Sequence, residues 1–144
     1  MYQHILIATD GSKLAGKAVT AGLGLAAALK AKATAVTAEE PLEALMVAEP
    51  SQRSPMAEFE RAAAESARRI LAEVRQKARE QGIDCDTVQV SDFPAPAILA
   101  TAKARGCDLI VMSSHGRRGL DRLFLGSQTR RVLAHSPVPV LICK

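Results

Sequence analysis

The sequence predicts an α/β fold, a single doubly wound five-stranded and mostly parallel sheet with helices on both faces. Three observations predict it. Short apolar runs of strand length alternate with segments whose apolar residues recur every three or four positions. The run Asp108–Met112 is continuously apolar after its first residue, the form of a strand covered by helices on both sides. No repeat, low-complexity tract or linker divides the chain, so residues 1–144 read as one domain.

The first run, His4–Thr9, ends in Asp10-Gly11-Ser12, where turn residues and a helix cap coincide. The Ser12 hydroxyl suits the cap. Ala15, Val19, Leu23, Ala26 and Leu29 then share one helical face, which predicts a helix over about 13–30. Ala33–Ala38 reads as the second strand, and Glu39-Glu40-Pro41 ends it as a solvated strand end rather than a metal pair. Leu42–Ser54 reads as a long, mobile loop.

Met56, Phe59, Ala63, Ala67, Ile70, Val74 and Ala78 form the apolar stripe of a long amphipathic helix that stops at Gly82. Thr87–Val90 is the third strand. Ser91-Asp92-Phe93-Pro94 follows, with Asp92 as the expected N-cap of a shorter helix that carries Ile98, Leu99 and Ala102 and closes at Gly106. Beyond the strand Asp108–Met112, a glycine-bearing loop, Ser113–Gly126, precedes a helix from Ser127 to His135. Val138–Ile142 is the last strand, and Pro139, lacking an N–H, assigns it to an edge.

A chain of 144 residues buries roughly 68–70% of its unfolded surface, enough for a core without staples. The apolar stretches Leu25–Leu29 and Leu109–Met112 fall far short of the ~18–20 residues of a membrane span. The opening Met1-Tyr2-Gln3-His4 lacks a basic region and cleavage site, which predicts a cytoplasmic protein. Cys85, Cys107 and Cys143 are odd in number and widely spaced, so they predict buried reduced thiols rather than a disulfide framework or metal pair.

The formal net charge is only +4, yet Arg117, Arg118, Arg122, Arg130 and Arg131 fall within fifteen positions, a local potential suited to an anionic ligand. Nucleic acid is the rival anion. One Tyr, three Phe and no Trp leave little for bases to stack on, which argues against it.

In a doubly wound sheet the ligand crevice lies outside the carboxyl ends of the strands, where the winding reverses. If the first and fourth strands flank that point, Thr9-Asp10 and Ser113-Ser114-His115-Gly116 face one crevice. The segment Ser113–Ser127 has the parts of a phosphate cradle: Gly116 and Gly126 permit close backbone approach, and the helix starting near Ser127 offers unpaired amides. The hydroxyls of Ser127 and Thr129 suit phosphate oxygens, and Arg117 or Arg118 offsets their charge. Neither a Walker A loop nor the G-x-G-x-x-G fingerprint is present. A surface loop whose glycines only shape turns is the plainer alternative. His115 has no nucleophile or third orienting group tied to it by sequence, so local hydrogen bonding is its expected role and no catalytic residue is assigned.

These words resemble the universal stress protein family over the whole chain. Its nucleotide-binding members carry G-x2-G-x9-G-[ST] before the last helix, and here Ser113-x2-Gly116-x9-Gly126-Ser127 stands in that register. Ile5–Ser12 looks like the family's opening strand and turn, and Pro137–Leu141 like its closing strand. The resemblance implies an adenine nucleotide α-hydrolase-like sheet of order 3-2-1-4-5. It implies that Asp10 contacts adenosine and that Ala8, Thr9 and Ala38 wall the adenine. Ser113, Gly116, Arg117, Gly126, Ser127, Gln128 and Thr129 would take the phosphates of ATP, or of AMP or another adenine nucleotide. Mg2+ or Mn2+ would be held through phosphate oxygens with no direct protein ligand. It also implies a homodimer through Val138, Val140, Leu141 and Ile142.

Two positions depart from the pattern: Ser113 replaces the first glycine, and Asp92 stands where many relatives have glycine. The resulting expectation is a stress-response regulator that binds ATP and at most hydrolyses it slowly. The alternatives are a dimeric interaction module of the same family without nucleotide, which the two departures favour, and an adenylyl-transfer enzyme, for which no acceptor site is legible.

Overall fold

The computed structural model describes residues 1–41, 53–116 and 125–144, with side chains from residue 57 onward in the second stretch. Strand β1 (His4–Ala8) leads into α1 (Lys13–Leu29), β2 (Lys32–Glu39), α2 (Arg53–Glu80), β3 (Cys85–Ser91), α3 (Pro94–Arg105), β4 (Leu109–Ser113), α4 (Ser127–His135) and β5 (Val140–Cys143). The strands form one sheet in the order β3-β2-β1-β4-β5, and every neighbouring pair is parallel. The predicted loop 42–54 lies outside the described residues up to 52; α2 already includes Arg53 and Ser54.

The two-residue period of a strand sorts β1 between two cores. Ile5 and Ile7 pack with Val19 and Leu23 of α1 and Leu71 and Val74 of α2. Leu6 and Ala8 face the other way, onto Ile98 of α3 and Val132 of α4. With helices on both faces, Ile5, Leu6 and Ile7 are all fully buried, and each contributes about 1.5–3 kcal/mol of burial free energy. This is why the run is apolar throughout rather than alternating.

The predicted apolar faces hold over most of their length and fail where a helix leaves the sheet. In α1 the buried residues run from Ala15 to Ala26, but Leu29, expected on that face, is 38% exposed at the last turn. Phe59 of α2 is 57% exposed, against expectation. At 1.5 Å per residue the 28 residues of α2 span roughly 42 Å. The eight residues of β2 span only about 26 Å, so the amino-terminal half of α2 overhangs the sheet. Burial starts at Ala67 and continues through Leu71, Val74 and Ala78; Leu71, not Ile70, sits at the centre of the buried stripe.

Local chemistry fixes the ends. The Ser12 hydroxyl accepts from the Ala15 amide at 3.2 Å and caps α1 as expected. Asp92 does not cap α3. Pro94 occupies the first helical turn, which moves the cap position to Phe93, and the Asp92 Oδ1 accepts instead from the adjacent Phe93 amide at 2.7 Å. β5 lies at the sheet edge, starting at Val140 rather than Val138, and the Pro139 carbonyl still accepts from the Ile110 amide at 3.0 Å.

Of the free thiols, Cys107 is buried, while Cys85 and Cys143 are half-buried. Burial, with help from the Asp108 charge and against that of Arg105, pushes the Cys107 thiol up to about 11. Burial also raises Cys85 and Cys143, so none is an activated nucleophile. Among the described residues no helix is long and apolar enough to cross a membrane.

Candidate functional site

The chain winds outward from β1 through β2 to β3, then returns to β4 on the other side of β1. The winding therefore reverses between β1 and β4, which are hydrogen-bonded neighbours in the register Ile5↔Leu109 to Ile7↔Val111. Thr9-Asp10 and Ser113–Gly116 leave the sheet side by side at this point, as the sequence predicted. A Cβ added to Gly116 would meet Asp10 Oδ2 at 3.0 Å, so the Gly116 backbone lies directly against the Asp10 carboxylate.

The turn after β1 is held by its own side chains. The Thr9 amide continues the ladder to the Val36 carbonyl at 3.0 Å, and its hydroxyl accepts from the Gly11 amide at 3.2 Å. Asp10 Oδ1 accepts from the Ser12 amide at 2.9 Å, which orients the carboxylate without making it the helix cap. Ala8 is the register partner of Val36, so Ala38, two residues on, lies on the same face of the sheet as Ala8. These two small side chains flank the α3 and α4 side of the crevice.

Hydroxyls and one close glycine hold the far wall. The Gly126 amide donates to the Ser114 carbonyl at 2.8 Å, and a Cβ on Gly126 would crowd that oxygen at 3.3 Å and His115 Cα at 3.5 Å. Glycine suits this position through the tight approach to the Ser114 oxygen and not through its backbone conformation, since its φ is ordinary at −60°. It is also the N-cap residue of α4 and supplies no side-chain cap. The amides of Ser127, Gln128 and Thr129 open the first turn of α4, where a helix provides no carbonyl partner.

The predicted site residues divide on this geometry. Ser127 is exposed at the mouth of α4. The Thr129 side chain is buried, its hydroxyl 3.1 Å from both the Ser113 and the Ser114 carbonyl. Gln128 Oε1 accepts from the Ala95 amide at 2.9 Å, so this side chain supplies α3 with the cap that Phe93 does not. What Gln128 and Thr129 have to offer a ligand is therefore chiefly backbone. Arg117, with Arg118 and Arg122, lies outside the described residues. Arg130 and Arg131 line a groove along α4 with Ser127, Ala134 and His135.

Ser113 carries no backbone strain: among the described non-glycine residues only Lys30 has a positive φ. Its hydroxyl turns inward and donates to the His115 carbonyl at 2.7 Å. His115 Nδ1 lies 3.0 Å from the Ser114 hydroxyl, the local bond expected of it. Ser114, which the sequence placed at the crevice, has a structural role that sequence reasoning missed. It is 4% exposed and joins β5, α4 and His115, through its amide to the Cys143 carbonyl, its carbonyl to Gly126 and Thr129, and its hydroxyl. No spacing rule marks it, because its partners come from three separate elements.

Beside the crevice, where the ends of β2 and β3 meet the overhanging half of α2, Glu39, Glu40, Phe59 and Glu60 line a cleft of about 350 Å³. Glu39 accepts a hydrogen bond from Gln89 there. Among the described residues no three His, Cys, Asp or Glu side chains come together as a metal site.

Residues 1–144 match the model of the universal stress protein family. The chain is 30% identical to universal stress protein YxiE of Bacillus subtilis, over the full length of both. Universal stress protein UspA from Lactobacillus plantarum superposes with a TM-score of 0.88 at 25% identity, covering 99% of this chain and 98% of that one. A universal stress protein solved in complex with cAMP superposes at 0.70 with 27% identity, covering 99% and 97%.

Proposed function

The chain belongs to the universal stress protein family, and from that premise we propose that it binds an adenine nucleotide, ATP foremost, in the crevice between β1 and β4. The observation that carries the proposal is the amino terminus of α4, left without a side-chain cap and approached by the Ser113–Gly116 turn across from Asp10. Unpaired amides at the positive end of a helix dipole favour phosphate oxygens. Gly116, Ser127, Gln128 and Thr129 hold the phosphates through their backbones, joined by Arg117, and Gly126, whose amide is taken by the Ser114 carbonyl, lets the turn come close. Asp10 meets the ribose, and Ala8, Thr9 and Ala38 wall the base. A Mg2+ or Mn2+ ion would be held through the phosphate oxygens, with no direct protein ligand. A relative at 27% identity bound to cAMP supports the adenine class.

The nucleotide acts as the input of a cytoplasmic stress-response regulator that works as a homodimer. The edge strand β5 supports the dimer: Leu141 is 39% exposed and Val138, Val140 and Ile142 are half-buried on an unpaired edge, which invites a second copy. The module without nucleotide loses one of its two supports, because Ser113 fits an ordinary backbone conformation with its hydroxyl tucked away. Thermal unfolding with Mg·ATP tests the reading. Ligand at a hundredfold over its dissociation constant adds about 2.7 kcal/mol of stability, and an unchanged melting curve at millimolar ATP defeats it.

A further inference from the structure

We propose that Ser113 is a positioning residue whose hydroxyl aims the Gly116 amide into the crevice as an anion donor, so that serine at this glycine position strengthens nucleotide binding. The inference rests on the nucleotide reading above and adds to it the device that orients the loop.

At the end of β4 and just beyond it the chain is buried at Ser113, Ser114 and His115, so the three carbonyls there require donors. Left unfixed, carbonyls at a phosphate site would also repel the ligand. Each has a donor from inside the protein. The Thr129 hydroxyl lies 3.1 Å from the Ser113 and Ser114 oxygens, the Gly126 amide donates to Ser114 at 2.8 Å, and the Ser113 hydroxyl donates to His115 at 2.7 Å. The described chain has no cis peptide bond. In a planar trans peptide the C=O and the following N–H point in opposite directions. Drawing the His115 oxygen inward to Ser113 therefore turns the Gly116 N–H outward, on the residue whose backbone faces Asp10. A glycine at 113 would leave the His115–Gly116 peptide free to rotate. Serine holds it without positive φ and without a side chain in the crevice.

The test compares Ser113→Gly, Ser113→Ala and the control Thr20→Ala, with nucleotide affinity measured by calorimetry and the Gly116 amide followed by NMR as Mg·ATP is added. Loss of the hydroxyl in either Ser113 variant should weaken binding about fivefold, the scale of one net hydrogen bond, and diminish the Gly116 amide shift that nucleotide induces. Thr20→Ala removes an exposed hydroxyl that bonds only within α1 and should bind as the parent does. A Ser113→Gly protein that binds as tightly as the parent, or more tightly, overturns the proposal. Should the parent bind no nucleotide, the nucleotide reading fails, and amide exchange in the free protein decides the latch. The Gly126 and Ser114 amides should then exchange faster in Ser113→Ala while Ile110 and Val111 stay protected; unchanged exchange overturns it.

Discussion

At the amino ends of the strands the sheet is fastened by charge. Both Asp108 carboxylate oxygens accept backbone amides, from His4 at 3.0 Å and Gln3 at 2.9 Å, and tie the start of β1 to the start of β4. Lys32 pairs with Asp86 at 3.4 Å, and Arg105 reaches the same carboxylate at 3.6 Å. At the carboxyl ends hydroxyls do most of the fastening: those of Thr9, Ser12, Ser113, Ser114 and Thr129 hold the turns, with the Asp10 carboxylate on the Ser12 amide beside them. The ion pairs Lys32–Asp84, Lys32–Asp86 and Arg105–Asp86 lie at the amino end. One end thus uses its charges on its own backbone and on one another. The other fixes its backbone mainly with uncharged groups, and among the described residues no side chain caps the first turn of α4.

The steepest way to break this contrast is Gly126→Val. Its side chain would drive into the Ser114 carbonyl and His115 backbone, which a turn cannot move as a flexible side chain could. Overpacking of this kind costs about 1–3 kcal/mol. Urea unfolding should show that loss, and calorimetry should show nucleotide affinity falling at least about tenfold as the wall of the crevice moves.

Asp108→Asn should separate the two ends. Burial would raise the Asp108 carboxyl, but the amides of Gln3 and His4 outweigh it and hold the group below its ordinary value. A lowered carboxyl stabilises the fold above its unfolded value of about 3.9, and the contribution fades as pH falls through the lower folded value. The variant should lose about 1 kcal/mol at pH 7, discounted for the partial exposure of the clamp, with nucleotide affinity unchanged. As pH falls through the lower folded value of Asp108, the stability of the variant should converge on that of the parent. A gap that persists in acid would assign the loss to packing rather than to charge.

The same contrast explains what could be read from the sequence. Strand and helix identities were legible because strands buried on both faces must be apolar throughout, as Ile5–Ile7 and Leu109–Met112 are. The crevice was legible through Gly116, Gly126 and the turn at Asp10, because close approach admits few residue types. The hydroxyl network was not. Ser113, Ser114 and Thr129 are common surface residues, and their partners lie up to sixteen positions away, where only folding brings them together. Gln128 looked like a phosphate ligand, yet its side chain serves Ala95, thirty-three positions earlier. The Phe59 and Leu71 corrections have another source: a periodic stripe fixes a helical face but not how far the helix outruns its sheet.

The smallest expected effect makes the sharpest test, because its two readouts carry opposite signs. Ser127 is the first residue of α4 and is exposed, and the first turn of this helix carries no acidic residue. Ser127→Asp puts a negative charge at the positive end of the helix dipole, which should stabilise the free protein by about 0.5 kcal/mol at low salt. The same charge would stand where the proposed phosphates bind, so affinity for Mg·ATP should fall several-fold, and more at low ionic strength than at high. A variant that gains stability and keeps its affinity would mean that the phosphates lie elsewhere. One that loses both would mean that the Ser127 hydroxyl supports the helix, and that the amides of α4 are less available than the uncapped geometry implies.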